Sequence, residues 1–142
     1  MLTGLDPNID TPVEPLHTVL LGTIKYIWAK TCTHLTNTKT LDTFQARLAS
    51  ISVHGLNCPP IRASYLVQYR GSLIGRQFKQ IVQIAPFAVY GLVDEDLFTV
   101  WITAGRMAAT MWFSEIDNLT EYCVSLPLLY APAITVLSLR CI

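Results

Sequence analysis

"DEDLFTVWITAGRMAATMW", residues 94–112, decides the fold class. Leu97, Val100, Trp101, Ala104, Met107, Ala108, Met111 and Trp112 recur at spacings of three, four and seven. That period gathers them on one face of an α-helix, whereas a strand would need alternation. Asp94, Glu95 and Asp96 stand just ahead, where negative charge meets the positive end of the helix dipole. The tryptophans and methionines of the stripe read as core side chains, not as a ligand box.

The same period recurs along the chain. Leu16, Leu20, Ile24 and Ile27, widened by Leu21 and Trp28, predict a first helix over 12–30. Thr11 and Glu14 are spaced as its capping box, and Pro12 sits in its first turn. Residues 31–39, TCTHLTNTK, read as a polar loop. Leu41, Phe44, Leu48 and Ile51 predict a second helix over 41–53, with Thr40 as its cap and Gly55 as its stop. Pro59 and Pro60 exclude helix from the tract that follows. The stretch after Arg62 is ambiguous between a short helix and a strand. From Leu73 onward Phe78, Ile81, Val82 and Ala85 again read as helix, with Pro86 a kink or a boundary. A short helix is expected over 117–123. With no internal repeat, the chain is predicted to be one all-α domain, an irregular bundle of four to five helices. The helical segment covers 1–123, and a divergent apolar tail covers 124–142.

Charge is scarce. Charged residues are 14% of the 142, against about a quarter in ordinary soluble domains. Such a chain either buries much of its surface or expects a protein partner to cover an apolar face. What charge there is segregates. Residues 15–93 hold eight basic groups against one acid, Asp42, and residues 94–121 hold six acids against one arginine, Arg106. Within the basic stretch Lys25, Arg70, Arg76 and Lys79 are the candidate contacts to DNA phosphates, though the density is sparse for a nucleic-acid face. Nothing points to a small-molecule substrate. The N-terminus has no basic region leading into an apolar run and is no secretory signal. The four cysteines are therefore expected to be reduced thiols of an intracellular protein. Tyr122 to Leu139 runs eighteen residues without a charge, long enough for a membrane helix, but Pro127 and Pro132 interrupt it.

The sharper motifs give little by themselves. Cys32-Thr33-His34 and His54 with Cys58 form two Cys/His pairs, but C-x-H is tighter than zinc-site spacing, so no metal is expected there. The loop Tyr69 to Arg76 lacks the G-K-[ST] ending of a phosphate-binding loop and reads as a turn and helix cap, with Arg70 and Arg76 still free to meet a phosphate. Glu14 and His17, three residues apart, read from physics alone as a capping residue and its neighbour.

Three stretches taken together carry a resemblance: "DTPVEPLHTVLLGTIKYIW" (10–28), "YLVQYRGSLIGRQFKQIVQIAPFAVYGLV" (65–93) and "LFTVWITAGRMAATMWFSEIDNLTEYC" (97–123). They resemble a segment of transposase-like proteins of mushroom-forming fungi, near the CACTA and Plavaka groups of DNA transposons. That family pairs an acid with a histidine three residues on, then an apolar run with Leu-Gly, matched here by Glu14, His17 and Leu21-Gly22. The resemblance implies an RNase H-like nuclease in the intact relative, with three carboxylates holding Mg²⁺ ions. Glu14 would be the third of these and a metal ligand, with His17 one turn along. The central sheet and the other two carboxylates have no counterpart in these 142 residues. One carboxylate cannot hold a metal pair, so the isolated chain is expected to be no enzyme and to need no cofactor. The expectation is a non-catalytic remnant or supporting segment of a transposase, nuclear if functional. Its rivals are a small helical protein-interaction module and a protein anchored in a membrane through 122–139.

Overall fold

The computed structural model describes residues 16–56, 58–112, 115–122 and 124. The chain is an all-α irregular bundle, as the stripes predict, and no strand occurs among the described residues. Wide π-helical turns, Leu16–Ile24, run directly into α1 (Lys25–Asn37). Then follow α2 (Leu41–Ser50), α3 (Ala63–Gln68), α4 (Gly75–Val89) and α5 (Glu95–Met111). One further helical turn closes the described chain at 119–122. There Asn118 Oδ1 accepts the Glu121 amide at 3.1 Å.

The first helix departs from its predicted span. Its wide turns bring the His17 carbonyl oxygen within 2.9 Å of where a Cβ on Gly22 would stand, so glycine admits the close approach. The predicted capping residues Thr11, Pro12 and Glu14 lie outside the described residues. At the other end the predicted loop 31–39 is helical through Asn37. The threonines explain why. Thr31, Thr33, Thr36 and Thr38 donate their hydroxyls to the carbonyls of Ile27, Ala29, Cys32 and His34 at 2.8, 3.0, 2.7 and 3.1 Å. Each polar side chain is thereby satisfied within the helix, while Thr31, Cys32 and Leu35 turn into the core.

α1 ends in a left-handed turn at Lys39, φ 57°. The Thr40 amide reaches back to Leu35 O at 2.9 Å and the Lys39 amide to Thr36 O at 3.2 Å, the paired bonds of a Schellman stop. Thr40 precedes α2 but does not cap it with its side chain. Its hydroxyl lies 2.8 Å from that of Thr38 instead. α2 stops at Ser50, short of the predicted Val53, because Ile51 is already extended, and Gly55 (φ 82°) turns the chain beyond it. The ambiguous stretch after Arg62 is helical, as α3. Asp94 caps α5 as its charge suggests, accepting the Leu97 amide at 2.8 Å.

Pro86 neither ends nor interrupts α4. It cannot donate to the Val82 carbonyl one turn back. Opposite that point is Gly105 of α5, where an added Cβ would meet Pro86 Cγ at 3.4 Å and Val82 O at 3.6 Å. Both distances are ordinary van der Waals contacts, so the two helices pack against each other over the proline.

The core centres on Trp28. Its ring packs edge-on to Trp101 of α5 at 6.4 Å and tilted to Phe44 of α2 at 5.7 Å, while its Nε1 donates to Leu66 O of α3 at 3.3 Å. All three rings are wholly buried. Trp101 Nε1 donates to Thr31 Oγ1 at 2.9 Å, and that hydroxyl donates onward to Ile27 O.

Two stability measurements follow. Thr31→Val keeps the shape but strands the buried Trp101 N–H, and urea unfolding should show a loss of about 1–3 kcal/mol. Lys39→Gly relieves the left-handed strain and should raise stability by roughly 0.5–1 kcal/mol in the same assay.

Candidate functional site

Two surface features stand out, one polar and one apolar, and α4 contributes to both. The polar one is a cleft of about 450 Å³. It lies between the Pro59-Pro60 turn, α3 and the first turns of α4. Pro59 and Pro60 hold the chain extended, and Gln80 Nε2 pins the turn to α4 by donating to Pro59 O at 2.6 Å. Gln77 Oε1 accepts the Ile74 amide at 2.7 Å and closes the start of α4. On this frame Arg62, Tyr65 and Arg76 line the cleft, all three exposed. Among the described residues no carboxylate lines it, and none occurs in the sequence between Asp42 and Asp94.

Of the four predicted phosphate contacts, only Arg76 lines this cleft. Lys79, one turn along α4, places its ammonium 4.8 Å from the centre of the Trp112 ring, a cation–π contact that ties α4 to the end of α5. Arg70 is half-buried and acts on the Cys32 thiol, and Lys25 is half-buried on α1. Arg47 is committed elsewhere. It donates to Ala88 O and Tyr90 O, neutralising the carbonyl end of α4. Sequence reasoning missed Arg62. Its only signal was its place in the acid-free stretch, directly after the proline turn.

The apolar feature is an open groove of about 700 Å³ between α4 and α5. Phe87, Tyr90, Phe98, Ile102 and Pro86 form its walls, and Gly105 contributes the gap beside Pro86. Tyr90 and Phe98 meet edge to face at 5.4 Å. Phe87 and Tyr90 are 73% and 68% exposed, although Ala88 and Val89 between them are buried.

Of the implied catalytic pair, Glu14 lies outside the described residues and His17 is exposed on the wide turns. Among the described residues no three His, Cys, Asp or Glu side chains approach closely enough to hold a metal ion. The described residues around His17 therefore do not supply the oxygen set that Mg²⁺ needs. Cys32 sits fully buried in the core, and burial pushes its thiol up to about 12, against a weaker opposing pull from Arg70. Such a thiol is neither nucleophile nor ligand at neutral pH.

No helix among the described residues is long and apolar enough to cross a membrane, and most of the stretch 122–139 lies outside them. No protein-family model, curated protein or solved structure matches the chain.

The buried thiol makes a pH prediction. The folded state keeps the Cys32 proton to about pH 12, while an unfolded cysteine loses it near 9. Its stabilising contribution is thus whole below pH 9 and lost as pH rises through 12. Urea midpoints should fall across that window, and less steeply in Cys32→Ala. Iodoacetamide at pH 8 should label Cys32 only after denaturation, as peptide mass mapping will register.

Proposed function

We propose that this chain is a helical supporting segment of a transposase-like protein, without catalysis of its own, whose groove between α4 and α5 is covered by the rest of that protein. The groove carries this reading. Phe87 on α4 and Tyr90 just past its end stand mostly in solvent, while the opposite face of α4 is closely packed. Folding of the described bundle leaves them uncovered, and aromatic side chains gathered in an open groove suit a contact with another chain segment. The low charge of the whole chain agrees with this. The resemblance over residues 9–123 supplies the neighbour: the catalytic core that such a segment would support. Under this reading Glu14 and His17 belong to a metal-binding edge completed elsewhere, Mg²⁺ is a cofactor of the intact relative only, and the protein works in the nucleus. Lys25, Arg70, Arg76 and Lys79 remain the candidate contacts to DNA under this reading, and of the four Arg76 lines the polar cleft.

The same groove also favours a second reading, a free-standing interaction module. Full-length transcript sequencing separates the two. The supporting role expects a reading frame that joins this segment to sequence encoding a sheet with two further acids. A transcript carrying neither overturns it in favour of the module. A second measurement examines the groove itself. Phe87→Ser should change the stability of the isolated chain by less than about 0.5 kcal/mol in urea unfolding. A larger loss would show that Phe87 serves this fold rather than a neighbour.

A further inference from the structure

The Arg62–Arg76 cleft has an aromatic extension. Tyr65 both lines the cleft and packs its ring against Tyr69, with centroids 4.9 Å apart and planes at 39°. The two rings are 39% and 47% exposed, and Tyr65 shares the cleft with both arginines. Neither guanidinium forms an ion pair or hydrogen bond among the described residues, and the sequence has no acid between Asp42 and Asp94.

We propose that this surface binds single-stranded nucleic acid, with backbone phosphates held by Arg62 and Arg76 and bases stacked on Tyr65 and Tyr69. Each part of the surface narrows the choice of ligand. Two guanidiniums in one cleft, unpaired among the described residues, suit an anion, and their planar forks match phosphate oxygens. An acidic peptide would satisfy the charges but leave the tyrosine faces idle. A nucleic acid uses both, because every base has a face to stack and every nucleotide a phosphate. The strand must be single. In a duplex the base faces are already stacked on one another, and α3, six residues long, is too short to read a major groove. Gln80 and Gln77 hold the walls in place before any ligand arrives, so little ordering is needed on binding. This site stands on the cleft and its rings, independently of the supporting role.

Fluorescence anisotropy with the whole chain tests it, using labelled oligothymidine and oligouridine as separate arms and a DNA duplex of equal length as the comparison. Binding of either single strand above the duplex supports the site and identifies its source. Affinity should weaken with salt, with a log–log slope near −1.4 for two phosphates at about −0.7 each. Arg62→Gln with Arg76→Gln should flatten that slope and lower affinity by about tenfold or more. Tyr65→Leu should lower affinity by about tenfold while leaving the slope unchanged, because stacking releases no counterions. The substituted arginines are exposed, so urea midpoints of the variants should match the parent. Absence of binding at low salt, duplex binding equal to or tighter than single strand, or binding untouched by the arginine pair each overturns the proposal.

Discussion

A buried hydroxyl determines where the last helix can sit. Thr31 Oγ1 accepts from the Trp101 indole at 2.9 Å and donates to Ile27 O at 2.8 Å, so one small side chain satisfies both itself and the largest residue of α5. Were Thr31 apolar, Trp101 would have to turn its N–H toward solvent or bury it unpaired. With the bond in place, Trp101 meets the edge of Trp28, which in turn reaches Phe44 and Leu66. α1 therefore holds α2, α3 and α5 through a single aromatic cluster. α4 packs on α5 at Pro86 and Gly105, and it also meets α2 and the wide turns over Leu16–Ile24. Every buried side-chain nitrogen and oxygen among the described residues has a hydrogen-bond partner, as a node of this kind demands.

Periodicity revealed the fold class because the apolar stripes of α4 and α5 are long and regular. It failed where polar residues pack by internal bonding. TCTHLTNTK looks like a loop by composition, yet its hydroxyls bond back along the helix and its apolar Cys32 and Leu35 keep the stripe of α1 going. Two residues in that run, Thr31 and Lys39, fix a tertiary contact and a helix stop that composition cannot display. Pro86 is the converse case. A proline in a helical pattern need not mark a boundary: α4 runs on to Val89 with Gly105 of α5, far along the chain, packed beside Pro86.

The candidate site was legible in kind and not in membership. Charge segregation pointed to the stretch before Asp94, and Arg76 was singled out from it. Its companion Arg62 lines the same cleft, beside the proline turn that Gln80 ties to α4. Lys79, equally basic in sequence, is spent on the Trp112 ring. A cation's availability depends on what the fold places next to it, and that is a long-range property.

α4 also relates the two surfaces to each other. Its first turns, with Arg76 and Gln77, border the polar cleft, while its last turns, with Pro86 and Phe87, border the apolar groove. Eleven residues separate Arg76 from Phe87, about 16 Å along a helix axis. Between them Phe78, Ile81, Val82, Ile84 and Ala85 are wholly buried, so the intervening helix is held by the core along its length. Two ligands bound at its ends would therefore neither compete for space nor need the bundle to open. The division has a simple origin in the sequence: α4 keeps one continuous apolar face for the core, and its outward positions change from Arg76 near its start to Phe87 near its end. One rigid helix can thus present charge at one end and bare aromatic surface at the other, at a spacing fixed by the core beneath it.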